Sequence, residues 1–194
     1  DETDPNTMFI GYKNIWRSDN IKSSTVNWNK ISSNIGTGNC SVLEQSPADK
    51  NILYVAKSGK RLYRSDNLND MYPSFTDLTS QLPTDDEVTD LEAHPFNPDI
   101  VYLTLGNGVW VSFDKGTNWT SFTGSLPSVH KTCLVYDIKS PDGIYVGSDV
   151  GVYFRDASMS DWIPFYNGLP ANIELTELEI FYDPNDNSQS KIRV

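Results

Sequence analysis

The chain has 194 residues, with 15 Lys and Arg against 26 Asp and Glu and a formal net charge of −11. That balance excludes the phosphate backbone of nucleic acid and anionic membrane surfaces as partners, and no apolar run approaches the length of a membrane span. Neutral or cationic partners such as a glycan fit the charge, and the length allows a full core.

The opening residues, Asp1-Glu2-Thr3-Asp4-Pro5-Asn6, are polar and acidic and lack the apolar core of a secretory leader. The chain therefore reads as mature or as an excised piece. The first apolar run, Met8-Phe9-Ile10, is followed by the phrase Ile15-Trp16-Arg17-Ser18-Asp19-Asn20, closing at Trp28. The same order returns three times. Ile52-Leu53-Tyr54-Val55 precedes Leu62-Tyr63-Arg64-Ser65-Asp66-Asn67, closing at Phe75. Val101-Tyr102-Leu103 precedes the fullest copy, Val109-Trp110-Val111-Ser112-Phe113-Asp114-Lys115-Gly116-Thr117-Asn118-Trp119. Ile144-Tyr145-Val146 precedes Val152-Tyr153-Phe154-Arg155-Asp156, closing at Trp162. Phe75 to Trp119 is 44 residues and Trp119 to Trp162 is 43, and the pairs Leu82-Pro83, Leu126-Pro127 and Leu169-Pro170 keep the same step.

A period of this length also occurs in helical solenoids, so composition decides. The runs are four to six residues long, rich in Val, Ile, Tyr and Trp, and bounded by Gly, Pro, Asn, Asp and Ser, with no sustained helical spacing. The expected fold class is all-β, a β-propeller of four-stranded antiparallel blades with about four blades present. In the best unit the strands fall at Val88–Ala93, Ile100–Thr104, Val109–Ser112 and Trp119–Phe122, with Asn107-Gly108 the strongest hairpin signal. Blade units lie at about 8–36 (partial), 40–83, 88–127, 131–170 and 175–194 (partial). The chain begins on a second strand. It ends on a first strand, Leu175–Phe181, and the start of another second strand at Lys191–Val194. The expectation is an open arc belonging to a larger ring of six to eight blades, because a propeller hides its sheet edges by closing. The alternative is a closed four-blade ring in which residues 175–181 complete the first unit.

Within the phrase, Ser112 and Asp114 are expected to bond the turn's own amides, Gly116 to supply a conformation other residues resist, and Trp119 to fold beneath the turn. Asp114 is replaced by Asn20, Asn67 and Ala157 in the other copies. A hydrogen-bonding role tolerates Asn, whereas a catalytic carboxylate would not. The residues Ser112-Phe113-Asp114-Lys115-Gly116-Thr117-Asn118-Trp119 resemble the Asp-box, or BNR, repeat of sialidase-like propellers, xyloglucan-hydrolase propellers and sortilin-type receptors. Asn118 stands where Thr is usual, and the last copy has lost its Gly. The unit from Gly143 to Pro170 also resembles large secreted bacterial surface proteins, in which such propellers sit beside adhesion modules. The resemblance implies a secreted or cell-surface setting and a phrase lying on the outer rim, away from any ligand. It also implies partners among polysaccharides, other surface proteins, remaining blades or neighbouring domains.

Ligand-face candidates therefore come from the loops joining fourth to first and second to third strands: Asp85, Asp86, Glu87, Asn107, His130, Asp149, Asn172 and Glu174. Asp85, Asp86 and Glu87 with Asp90 read either as a paired-carboxylate or calcium cluster or as a solvated acidic loop. Arg17, Arg64 and Arg155 sit in or beside phrases and do not form a sialidase arginine triad. No catalytic residue, cofactor or metal ligand is assigned, since His94 and His130 are too scattered for a metal site. Glu44 and Glu92 hold one place in two first strands and are expected to pair to a neighbouring blade, with lining of the central channel as the alternative. Cys40 and Cys133 are expected as free thiols rather than a bridge across the arc. The sequons at Asn39 and Asn118 read as accidental. The function expected is a non-catalytic binding or adhesion module, with a glycoside-hydrolase fragment as the alternative.

Overall fold

A computed structural model describes residues 5–33, 35–165, 167–170, 173–183 and 190–194. The fold is all-β, built as a row of antiparallel sheets in chain order. Sheet A holds β1 (Met8–Gly11), β2 (Ile15–Ser18) and β3 (Asn29–Lys30). Sheet B holds β4 (Cys40–Gln45), β5 (Leu53–Lys57), β6 (Arg61–Ser65) and β7 (Thr76–Asp77). Sheet C holds β8 (Val88–Ala93), β9 (Val101–Leu105), β10 (Gly108–Ser112) and β11 (Thr120–Ser121). Sheet D holds β12 (Lys131–Asp137), β13 (Gly143–Ser148), β14 (Gly151–Arg155) and β15 (Ile163–Pro164). Sheet E pairs β16 (Glu179–Tyr182) with β17 (Ser190–Arg193). Strands follow one another in simple meander order within every sheet, as in propeller blades.

The cores lie between the sheets. Tyr54, Ala56 and Leu62 of sheet B interdigitate with Val88, Leu91 and Leu103 of sheet C. Val109 and Val111 of sheet C meet Leu134, Tyr136 and Val146 of sheet D. Second strands are apolar on both faces because each is covered by a sheet on either side, and every residue of β5, β9 and β13 is buried. That explains their near-continuous apolar runs. The fourth strands shrink to two residues, shorter than the four expected, each following an aromatic (Trp28, Phe75, Trp119 or Trp162), of which the last three pack on a core between sheets.

The sequence expectation of a first strand over Leu175–Phe181 is corrected. Leu175 and Leu178 are buried against sheet D in irregular backbone, and the strand starts only at Glu179. The closed four-blade alternative fails, because β16 pairs with β17, placing Glu179 opposite Arg193 and Ile180 opposite Ile192, and not with β1.

The recurring phrase forms a clip at the turn between third and fourth strands. Ser112 Oγ donates to Asp114 Oδ1 at 2.8 Å and accepts from the N–H groups of Asp114 and Gly116. Asp114 Oδ1 accepts from the Asn118 N–H, one residue before Trp119. Ser18 with Asn20, and Ser65 with Asn67, repeat the clip, capturing the N–H groups of Asn27 and Ser74 just before Trp28 and Phe75. The fourth copy departs: Asp161, not residue 157, accepts from the Trp162 N–H, and also from Ser125. Arg17 and Arg64 act across sheets, donating to the carbonyls of Leu68 and Lys115 in the next blade while Asp19 and Asp66 hold the guanidinium groups.

Candidate functional site

The innermost strands β4, β8 and β12 each have one edge that no further strand pairs. A second recurring phrase occupies them: Ser41-Val42-Leu43-Glu44, Thr89-Asp90-Leu91-Glu92 and Thr132-Cys133-Leu134-Val135, with Thr176-Glu177-Leu178-Glu179 as the fourth copy. The register agrees across all four, with Glu44, Glu92, Val135 and Glu179 lying opposite Tyr54, Tyr102, Tyr145 and Arg193. A bulge recurs at Ser41, Thr89 and Thr132. This phrase is short, and its third copy lacks the Glu, so only the Glu44–Glu92 pair was legible beforehand.

The acids of this phrase satisfy unpaired amides of the next blade. Glu44 Oε1 accepts from the Ala93 N–H at 3.0 Å, and Glu92 Oε1 from the Tyr136 N–H at 3.1 Å. Asp90 Oδ2 accepts from the Leu134 N–H at 2.9 Å. Thr89 Oγ1 adds a bond to the Lys131 carbonyl. An inner strand left to itself would expose a row of N–H groups, and these carboxylates cover them. The expected pairing of Glu44 and Glu92 to a neighbouring blade is thus observed. Burial pushes the largely enclosed Asp90 carboxyl up to about 6, against the lowering effect of its two amide bonds and with Glu177 reinforcing the rise.

The four copies of the inner phrase line a cavity of about 590 Å³, the channel of the arc, whose acids include Glu44, Asp90, Glu92, Glu177 and Glu179. Cys133 also faces it, and burial raises its thiol to about 11. Cys40 and Cys133 are both free thiols, on strands at either side of β8. Two lysines near the upper strand ends give their amines to main-chain carbonyls. Lys57 Nζ donates to the carbonyls of Lys13, Ile35 and Gly36, and Lys131 Nζ to those of Pro127 and Val129. Burial lowers both below the ordinary lysine range.

The candidates from the connecting loops are spread along the top of the sheets. Glu87 accepts from the Gly59 N–H, and the Asp86 carboxylate lies over Gly106, whose backbone has φ +57 and whose added Cβ would stand 2.6 Å from Asp86 Oδ2. Asn107 donates to Ser128 at 3.4 Å, and the His130 carbonyl accepts from the Asp149 N–H. Each of these contacts ties a connection between sheets to a hairpin tip. Asp85 and Glu174 are exposed, and Asn172 falls outside the described residues. Asp90 does not join Asp85, Asp86 and Glu87: it points into the channel, on Leu134. Among the described residues no group of three or more His, Cys, Asp or Glu is placed to hold a metal ion. Among the described residues no helix is long and apolar enough to cross a membrane.

His94 is a loop brace. Its Nδ1 accepts from the N–H groups of Phe96 and Asn97, which leaves Nε2 to donate to Asp142 Oδ1 at 3.1 Å. Tyr136 also donates to Asp142 Oδ1, and these two bonds hold the Asp142 carboxyl below its usual range.

No family model matches the chain, and no curated protein does. Solved structures do. An ancestral GH74 enzyme superposes with a TM-score of 0.66 at 15% identity, over 99% of this chain and 33% of that one. The GH74 xyloglucanase of Xanthomonas campestris gives 0.66 at 18%, over 89% and 30%. Chaetomium thermophilum Sqt1, bound to the N-terminus of a ribosomal protein, gives 0.70 at 15%, over 96% and 52%. At these identities the likeness shows the fold, a propeller arc. The chain spans about a third to a half of the length of these structures.

Proposed function

We propose that the chain is a non-catalytic binding module, an arc of a larger propeller in a secreted or cell-surface protein, taking a polysaccharide or another surface protein as its partner. The observation that carries this reading is the use of the inner carboxylates. Glu44, Asp90 and Glu92 each accept a main-chain N–H of the next blade, so three of the five acids gathered at the channel act as staples between blades. A glycosidase needs one carboxyl to give up a proton and another to attack or activate water, across about 5–10 Å of the sugar bond. An acid fixed on an amide is poorly disposed to either task. The clip at Ser112, Asp114 and Gly116 supports assignment of the repeat to the Asp-box type, in a purely structural role.

A second reading, a glycoside-hydrolase fragment, is favoured by one observation: GH74 enzymes are among the structures the chain resembles. A glycan array scored beside reducing-sugar release separates the two. Binding without release supports the module; release from any bound polysaccharide rejects it.

A further inference from the structure

One packing relation recurs at each join between blades. The residue after each fourth strand gives its N–H to the third strand of its own sheet: Ile31 to Ile15, Leu78 to Leu62, Phe122 to Val109 and Phe165 to Val152, at 2.8–3.0 Å. The first three of these seat the closing aromatic of the next blade. Phe75 joins the core that holds Ile31, and Trp119 the core that holds Leu78. At the third seat the rings of Tyr102, Phe122 and Trp162 follow one another with centroids 5.8 and 5.5 Å apart, and Trp162 Nε1 donates to the Phe122 carbonyl at 2.9 Å. Ile31 and Leu78 are each 5% exposed. The fourth seat is built the same way. Tyr145, at the place of Tyr102, meets Phe165 edge-on at 4.9 Å. Phe165 is nonetheless 47% exposed, and a cavity of about 380 Å³ opens beside it, lined by Asp137, Tyr145, Phe165, Ile180 and Ile192. Its far wall is sheet E. Among the described residues β17 pairs only with β16, whereas β5, β9 and β13 each pair with a third strand as well. A half-exposed ring over an apolar hollow and an open strand edge beside it are the marks of a contact surface.

We propose that this hollow seats a tryptophan or phenylalanine of a protein partner, carried on a β-hairpin whose first strand adds to the open edge of β17 and whose turn is a clip of the Ser112–Trp119 kind. The ring would lie on Phe165, and an indole N–H would reach the Phe165 carbonyl as Trp162 reaches that of Phe122. The established joins argue for this occupant. Each is filled by a Trp or Phe that follows such a clip, and the hollow continues their line at the next step of the repeat. Strand addition supplies main-chain hydrogen bonds, and the pocket selects the side chain. Burying the ring removes a large apolar area from water on both partners. The inference rests on the reading of the chain as an arc of a binding module and names how the arc takes a neighbour. Sugar release is scored separately, so failure of the hairpin to bind rejects this seat alone.

The test is a titration of the isotope-labelled chain, followed by backbone amide shifts, with a peptide copying residues 108–123, the hairpin of β10 and β11 with its clip and Trp119. The expected result is saturable shifts at Tyr145, Phe165, Ile180 and Ile192, with Trp119→Ala in the peptide weakening binding at least about tenfold, the size of one buried ring. Trp119→Phe in the peptide, which keeps a ring and loses the N–H, should weaken it by a smaller factor. Phe165→Asp in the chain, a change at a half-exposed position, should abolish saturation while the other amides keep their dispersion. If that variant loses its dispersion, the comparison of the Trp and Ala peptides on the unaltered chain decides. Equal binding of those two peptides, shifts confined to Met8–Gly11, or no saturation at millimolar peptide would each overturn the proposal. So would concentration-dependent shifts of the same four amides without peptide, which would give the seat to a second copy, or their saturation by a xyloglucan oligosaccharide, which would give it to a sugar.

Discussion

Glu92 of one inner strand accepts the main-chain N–H of Tyr136 on the next at 3.1 Å, and Glu44 does the same for Ala93 one blade earlier. A side-chain acid thereby takes the place of the neighbouring strand that an inner edge lacks. The blades are joined by apolar packing between sheets and by this row of charge-assisted bonds at the channel.

If the acid serves as an acceptor, its charge matters less than its oxygen. Glu92→Ala strands the Tyr136 N–H and should cost about 1–3 kcal/mol, whereas Glu92→Gln keeps an acceptor and should cost under about 1 kcal/mol. Urea unfolding midpoints of the two variants check this; equal losses would contradict it.

Asp90 gives a pH signature. Its folded value, about 6, lies above the ordinary 3.8, so the folded chain holds a proton that the unfolded chain releases. Its stabilising contribution is therefore fully present below about pH 4 and is lost as pH rises through about 6, by up to roughly 3 kcal/mol. The stability of the wild-type chain relative to Asp90→Asn should fall across that window. A difference that stays flat or rises with pH would contradict the assignment.

The phrase clip predicts a graded series. Asn already serves at residues 20 and 67, so Asp114→Asn should cost well under about 1 kcal/mol, while Asp114→Ala frees the Asn118 N–H and the Ser112 hydroxyl and should cost about 1–2 kcal/mol. Thermal unfolding orders the variants, and neither should alter ligand binding at the connecting loops, because the clip lies in the turn between third and fourth strands, away from those loops.

Most of the fold was legible because the repeat states it four times. Short runs such as Leu53–Val55 and Val101–Leu103, closed by Gly and Asn turns, admit little besides stacked sheets. The clip was legible too, since substitution of Asp114 by Asn in sister copies distinguishes a hydrogen bond from catalysis. The channel was legible only in part. The shared place of Glu44 and Glu92 pointed to a neighbouring blade, but Asp90 read as part of the Asp85–Glu87 loop, because these acids act on amides 44 to 49 residues away, a relation set by how one blade packs on the next. His94 gave no signal either: its partner Asp142 belongs to another sheet's loop. The break at Glu179 was hidden because Leu175 and Leu178 are buried whether or not the backbone between them is extended.

Lys57 makes a further case for the buried cations as structural groups. Its amine serves three carbonyls at 3.0–3.3 Å. Lys57→Met fills the same space but leaves those carbonyls without a donor, and should lose about 1–3 kcal/mol. A neutral or stabilising outcome by chemical denaturation would show that the carbonyls find water instead.

The central claim is that the channel acids staple blades and that the chain binds without cutting. Reducing-sugar release by the purified chain, followed over hours on xyloglucan and on every polysaccharide it retains, tests this most directly. The account predicts no release above the blank. Release that disappears in Asp85→Asn or Asp86→Asn would contradict it.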